Sequence, residues 1–575
     1  MSYYRSHLFL VLFLSLFFIA CKNKTVKHLK EKEIVADPKK LSEYVQENIK
    51  NSLLIALDSN GKVDDSLRLA FYKIDEAYYQ QNDYKPLWSD TGKWFPHVDS
   101  LISYLDTAVL DGLYKEDYQY TRILTIKNAL DHDSTKRRDA ILWTKADILL
   151  TDAFMHIAGD LKQGRINPDS VAWRNDTSKY RRHFFVVLDK YRNKDTITGI
   201  FRALQPSYQG YWNLKACIKP FLDSMDTKTY TYLDYPYKDK DAPRKEKDAV
   251  DSLKFVKKLL LRFSESDFIK YDPEKLPDSL ELSTILKKYQ KLKKLTVDGK
   301  IGGEVVNTLN STDVVKYDRI VVTLDRYKQL PDSLPKKYIW VNLPAYYLQV
   351  HDSDSVVLTS RIICGKPKTP TPTLVSAISD LVIFPTWTVP ESIIKKEILP
   401  ALKRNPGYLA RKGLNLYDHE GEKVDPATVK WSKYKNAIPY KIQQGSGDDN
   451  ALGVIKFNFS NPFAVYLHDT NERWLFKKNI RSLSHGCVRV QEWEKLAFYI
   501  LRNDSAYIAP DTLKYNTDSI TSWIERKEKH RIGVKLRLPL FIKYFTCEAI
   551  DGKIRFYDDM YGDDRSLKEK YLSRK

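Results

Sequence analysis

Two short stretches decide how this chain is read: FAVYLHDT at residues 463–470 and SLSHGCVRV at residues 482–490. In the second, a histidine and a glycine precede a cysteine, and an arginine follows it. A cysteine that only fills a core needs no such neighbours. A cysteine that attacks a carbonyl uses all of them. Its thiol is mostly protonated at neutral pH, with a reference pKa of ~8.5, so it needs a base or cation nearby and donors for the oxyanion that forms. Gly486 lets the backbone turn before Cys487 and leaves room for a substrate carbonyl. The N–H groups of Gly486 and Cys487 are candidates for an oxyanion hole, and Arg489 adds charge suited to a carboxylate-bearing substrate. The first stretch supplies the base. His468 ends an apolar, strand-like run, and Asp469 or its carbonyl is placed to orient the ring through Nδ1, leaving Nε2 for the thiol.

Around these stretches the pattern is that of strands. KYIWVNLPAYYLQVH, SVVLTSRIICG, DLVIFPTWTVP and ALGVIKFNF are rich in β-branched and aromatic residues with turn residues between them. QEWEKLAFYILRN reads as a short helix, and the chain closes on a hairpin about Asp551-Gly552. Between DLVIFPTWTVP and ALGVIKFNF lies a segment far longer than an ordinary loop. It holds a helical run closed by Gly413 and the apolar or aromatic residues Tyr408, Leu409, Trp431, Tyr434 and Tyr440. We read it as a helical cap over Cys487, at about 391–445. The alternative is an insertion that packs only against the scaffold.

Toward the N-terminus the periodicity becomes helical. DSLRLAFYKIDEAYYQQ and DAILWTKADILLTDAFMHIAGDLKQG repeat apolar residues at three- and four-residue steps, the second ending at Gly164. A charged linker, PYKDKDAPRKEKDAV, follows. Next comes LSTILKKYQKLKKLTVDGKIGGEVVNTLN: a helix to about Leu292, a turn at Asp298-Gly299, and a second helix from near Gly303. This segment resembles the small helical peptidoglycan-binding domain through Val297, Asp298, Gly299 and Gly302. A generic helical hairpin is the plainer alternative.

The first residues, MSYYRSHLFLVLFLSLFFIACKNK, have a short cationic start and an apolar run too brief to span a bilayer, which is the pattern of a secretory signal. Its end, Phe18-Ile19-Ala20-Cys21, resembles a lipoprotein signal, which makes Cys21 the expected lipidation site and a lipid anchor the expected tie to a membrane. An uncleaved anchor or an ordinary cleavage site is the alternative. The 575-residue chain has 94 Lys and Arg against 74 Asp and Glu, a net charge of +20, with 43% hydrophobic and 13% aromatic residues. For a secreted chain, nucleic acid is a poor explanation of that charge, and an anionic wall or membrane surface a better one. Beyond Cys21 only Cys217, Cys364, Cys487 and Cys547 remain, with no CxxC pair, so this is not a disulfide-built fold. One or two disulfides stay open, with Cys487 the least expected member.

HDT at 468–470 with SHGCVR at 484–489 resembles the signature of the YkuD-type L,D-transpeptidases. VNLPAYYLQV, GKPKTPTP, WTVPESIIKKEILP, NPGYLARKG and NALGVIKFNFSNPFAVYLHDT extend the likeness to the large YcbB-type subfamily. NDYKPLWSD, DGLYKEDY and LTDAFMHIAGDLKQGRINP resemble that subfamily's helical scaffold. QQGSGDDN before Ala451 departs from it, where a proline–glycine turn is expected. The resemblance implies Cys487 as nucleophile and His468 as general acid/base, with His485 and Gly486 in the substrate- and oxyanion-binding loop. It also places Tyr466, Asn450, Ser484 and Arg489 in the pocket. It implies acyl transfer between peptidoglycan stem peptides with release of terminal D-alanine, no metal or organic cofactor, and reactivity toward carbapenem-type inhibitors.

The expected fold is multidomain α+β: signal peptide 1–20, tether 21–45, helical scaffold 46–245, a three-helix peptidoglycan-binding-like unit 246–315, and a mainly β catalytic domain of YkuD type, 316–575. Within the enzyme class an L,D-carboxypeptidase is the runner-up. A catalytically inactive wall-binding lipoprotein, in which His468 and Cys487 are merely buried, is the alternative from another class. A zinc site of His468, His485 and Cys487 lacks the usual spacings and a fourth ligand.

Overall fold

The computed structural model describes residues 35–166, 177–193, 196–234, 247–506 and 515–572. The signal peptide and Cys21 lie outside them. The chain divides into two compact units, one running to Pro206 and including Tyr327–Gln329, the other made of Ser207–Arg326 and Leu330 onward.

The first unit is helical: α1 (Pro38–Asp58), α2 (Tyr72–Gln81), α3 (His97–Asp106), α4 (Tyr120–His132), α5 (Ala140–Gln163), α6 (Thr177–Arg192) and α7 (Ile197–Leu204). The reading of 21–45 as a tether fails from residue 38. Asp37 caps α1 by accepting from the Lys39 N–H, Pro38 takes the first position, and Leu41 and Val45 are buried one turn apart. A good cap and an apolar stripe outweigh a lysine-rich composition. α5 is buried on nearly every face from Ala146 to Leu161, so it is the central helix, and it stops at Gly164 with φ 77°. Its Asp147 accepts from Tyr79 Oη at 2.5 Å, from the Leu87 N–H at 2.9 Å and from the Trp88 N–H at 3.1 Å. Burial pushes this carboxyl up to about 6 in spite of those donors.

In the second unit, α8 (Lys247–Glu265), α9 (Ser279–Leu292) and α10 (Gly303–Asn310) enclose a small core of Leu259, Phe263, Leu286, Tyr289, Val306 and Leu309. Gln290 pins the intervening turn by accepting from the N–H groups of Asp298 and Gly299, the latter at φ +67°.

The C-terminal part is built on β1 (Lys337–Asn342), β2 (Tyr347–Asp352), β3 (Ser355–Gly365) and β4 (Leu374–Ile383). The cap adds β5 (Trp387–Thr388), β6 (Leu414–Tyr417), β7 (Lys423–Val424) and β8 (Lys441–Gln444). The main sheet resumes with β9 (Ile455–Phe459), β10 (Leu467–His468), β11 (Ser482–Ser484), β12 (Val488–Val490), β13 (His530–Gly533) and β14 (Pro539–Lys543). The order is β9-β10-β12-β3-β2-β1-β14-β4-β13, and β9 also pairs with β4, which closes the ladder on itself. Its interior is packed with Ile339, Val350, Ile362, Ile455, Phe457, Leu467 and Val488. The hairpin Cys547–Phe556 turns at Asp551 and Gly552, both at positive φ. Among the described residues Cys217, Cys364, Cys487 and Cys547 form no disulfide.

The insertion reads in the sequence as helical. It does hold helices at Leu399–Arg404 and Tyr408–Arg411, but a four-stranded sheet, β5-β8-β6-β7, organises it. Its short strands alternate too few residues to be told from loop in the sequence. Leu399, Leu402, Leu409, Leu416, Trp431 and Ile442 form its own core, against which Tyr434 and Tyr440 pack.

Replacing Asp147 by alanine leaves two buried N–H groups unpaired, which costs roughly 2–5 kcal/mol. Urea unfolding followed by far-UV circular dichroism should show the helical unit melting at lower denaturant; an unchanged midpoint contradicts the role given to this carboxylate.

Candidate active site

β10 and β12 run parallel in register, Leu467 opposite Val488 and His468 opposite Arg489. The Val488 N–H donates to the Tyr466 carbonyl at 3.1 Å and continues the pairing one step back. Alternation then sorts the side chains. Leu467, Val488 and Val490 enter the barrel core. Tyr466, His468, Cys487 and Arg489 fall on the opposite, outer face. β9 extends this face, since Lys456 is opposite His468.

Cys487 is half-buried. Burial pushes its thiol up from the ordinary value, while hydrogen bonds from the main chain and hydroxyl of Tyr466, with the charges of Lys456 and Arg489, oppose the rise. His468 is buried, and its pKa falls to about 3, first through desolvation and then through the Arg489 cation. The ring is therefore neutral across the working pH range. Among the described residues its Nδ1 has no hydrogen-bond partner of good geometry, although the main chain at Asp469 and Leu452 favours the protonated ring.

The Asp469 carboxylate does not orient that ring. It accepts from the Val454 N–H at 3.1 Å and pairs with Arg473 at 2.6 Å. It also fixes the residue at 453: a Cβ on Gly453, at φ +62°, would lie 2.3 Å from Asp469 Oδ2. Asp469 thus secures the loop before β9 to β10.

Of the two expected oxyanion donors, Gly486 is already engaged, its N–H donating to Ser484 Oγ at 3.1 Å. Ser484 Oγ donates in turn to the Cys487 carbonyl at 2.6 Å. Ser484 is therefore a turn-forming residue, and the Cys487 N–H is the donor left to face a substrate. Gly486 sits at φ +124°, a conformation that suits glycine. Thr371, within GKPKTPTP, holds the Gly486 carbonyl at 2.7 Å.

Three expected substrate residues have partners inside the chain. Asn450 is buried and donates to the carbonyls of Gly445 at 2.7 Å and Pro385 at 3.2 Å, fastening the QQGSGDDN loop. Arg489 Nη1 pairs with Glu472 at 2.7 Å, although its buried Nε has no partner among the described residues. His485 Nε2 lies 2.6 Å from Glu397 Oε1 in the cap. His468, His485 and Cys487 thus do not converge, and among the described residues no three His, Cys, Asp or Glu side chains could hold a metal ion. Tyr466 is the expected pocket residue that does meet the sulfur, and its hydroxyl also meets Trp387 at the root of the cap.

The sequence reading missed Lys456, Thr371, Glu397 and Glu472. Lys456 is legible as the one cation in an otherwise alternating strand. Glu397 is not, because its partner lies on a distant segment.

With the thiol held up and no imidazolium to pair with it, alkylation of Cys487 in the free protein should climb steadily between pH 6 and 9 (about the range below the ordinary thiol pKa). Iodoacetamide labelling followed by intact mass checks this; a plateau below neutral pH would mean a preformed thiolate–imidazolium pair.

Residues 336–508 match the L,D-transpeptidase catalytic domain family, and residues 76–217 match the Scaffold domain family. A Haemophilus influenzae protein named "Putative L,D-transpeptidase" is 32% identical over 249 residues, which are 43% of this chain and 48% of that protein. The match thus spans about half the length of the relative. An L,D-transpeptidase from Mycobacterium smegmatis aligns over 36% of this chain and 58% of its own, at 12% identity and a TM-score of 0.17, too low to support a comparison of folds. Residues 336–508 are an L,D-transpeptidase catalytic domain of the YkuD family and residues 76–217 a Scaffold domain, the pairing of the YcbB-like architecture.

Proposed function

We propose that the chain is a peptidoglycan L,D-transpeptidase that works through a Cys487 acyl-enzyme. The observation that carries this reading is the parallel register that sets Cys487 and His468 on one face of adjacent strands, with Tyr466 bonded to the sulfur. His468 takes the thiol proton as sulfur attacks the carbonyl of the third stem residue, and the Cys487 N–H faces the oxyanion. Collapse expels D-alanine, whose amine receives that proton. An amine of a neighbouring stem then attacks the thioester, loses a proton to His468 and leaves Cys487 as the thiol. Because charging His468 is unfavourable in the free protein, proton transfer is coupled to bond formation and never precedes it.

Transfer to an amine and not to water requires that water be held away or the amine positioned. The cap is the element for this. It reaches the catalytic loop through Glu397 and His485 and the sulfur's neighbour through Trp387. Its aromatics Trp431, Tyr434 and Tyr440 face one another, so they stiffen the cap and leave the acceptor wall to its root. Without such exclusion the same acyl-enzyme hydrolyses, which is the carboxypeptidase alternative. We place the protein on the wall side of the membrane, anchored through lipid on Cys21, with the three-helix unit holding peptidoglycan strands. Among the described residues no helix is long and apolar enough to cross a membrane.

Exposure to a carbapenem should add one inhibitor mass to the intact protein, on Cys487. His468→Gln should slow that acylation by ~10²–10⁴, the contribution of a positioned acid/base. Cys487→Ala should form no adduct and melt as the parent does. A folded parent that forms no adduct would favour a wall-binding protein without catalysis.

A further inference from the structure

The outer sheet face does not end at His468. Register carries one row across five strands: Arg489 opposite His468, His468 opposite Lys456, Lys456 opposite Val382, and Val382 opposite Arg531. The far end of this row opens into a cavity of about 480 Å³, lined by Val382, Lys456, Asn458, Lys529 and Arg531 among others. Its charges are unevenly matched. Asp380 accepts from Arg531 at 3.0 Å and from Asn458 at 2.7 Å, so that carboxylate and that guanidinium satisfy each other. Among the described residues Lys529 has only the Thr386 hydroxyl, at 3.3 Å. Lys456 has no carboxylate or hydrogen-bond partner among the described residues, and Cys487 and then Asp380 act on it only through space. Its ammonium lies 3.9 Å from the centroid of the Tyr466 ring, whose hydroxyl bonds Cys487. A half-buried cation with no anion in contact carries a desolvation cost that a bound anion offsets.

We infer that this cavity is an anion subsite, in which a carboxylate of the peptide attacked by Cys487 seats against Lys456, with Lys529 as the second cation. The identity of the anion as a peptide carboxylate rests on the acyl-transfer reading; the anion site itself does not. One chemical consequence follows. Lys456 and Arg489 both disfavour a charged His468. A carboxylate at Lys456 offsets one of them, so the base strengthens when substrate arrives.

Two measurements on the full chain test this. The first compares alkylation of Cys487 by iodoacetate and by iodoacetamide. Any change in thiolate fraction affects both reagents, so their ratio reports attraction of an anion to the site. Lys456→Met should lower the iodoacetate-to-iodoacetamide ratio by roughly three- to tenfold, the scale of one partly screened charge, and Lys456→Arg should keep it near the parent value. An unchanged ratio in Lys456→Met overturns the subsite, even if the parent turns over a stem tetrapeptide. The second titrates the Cys487→Ala chain with a stem tetrapeptide bearing free carboxylates and with its fully amidated form. Preference for the free acid, lost when Lys456→Met is added, identifies the anion. Equal binding of both forms overturns that identification and leaves acyl transfer standing. A lowered reagent ratio in a chain that neither binds nor turns over the peptide keeps the anion site and rejects the acyl-transfer reading.

Discussion

The parallel pairing of His468 with Arg489 is the constraint on which the rest of the site depends. Side chains alternate with a period of two, so a slip of one residue would send His468 into the barrel and Leu467 out toward Cys487. The interior blocks that slip, because Leu467, Val488 and Val490 are all buried there. The core therefore fixes the chemistry: its apolar alternation is what holds a histidine, a tyrosine and a cysteine on one outer face. The polar fastenings around it serve the same register. Asp469 ties β10 to the loop before β9, Asn450 ties that loop to the root of the cap, and Ser484 with Thr371 shapes the turn that presents Cys487.

Electrostatically the site is a cationic surface around a neutral base. Burial alone would disfavour an imidazolium, and Arg489 and Lys456 disfavour it further. The same two cations favour a thiolate, as does Tyr466. The free protein thus offsets part of the burial cost of the sulfur anion without storing a proton on the histidine.

Much of this is legible in the sequence because local chemistry is strong where it counts. Gly164, Asp298-Gly299, Gly413 and Asp551-Gly552 each mark a turn or helix end that reaches positive φ. The HDT and SHGCVR stretches single out His468 and Cys487, the family resemblance adds Tyr466, and strand register brings these three side chains to one face. The illegible features are those set by tertiary contact. Nothing near Asp469 announces that its carboxylate turns to Arg473 and away from the ring. Nothing near Arg489 names Glu472 as its partner, and the pairing of His485 with Glu397 joins segments far apart in the chain. The cap sheet escapes a sequence reading because β5 and β7 have two residues each, too few to show a period. The lysine-rich segment from Pro38 is misread when composition is weighed above the Asp37 cap.

The most direct measurement is product analysis of the purified full chain incubated with disaccharide-tetrapeptide. Free D-alanine in step with a dimer linked between two third-position residues is the expected result, with both products absent from Cys487→Ala. D-alanine accompanied only by disaccharide-tripeptide would make the cap ineffective against water and the protein a carboxypeptidase. No D-alanine from folded protein would contradict acyl transfer altogether.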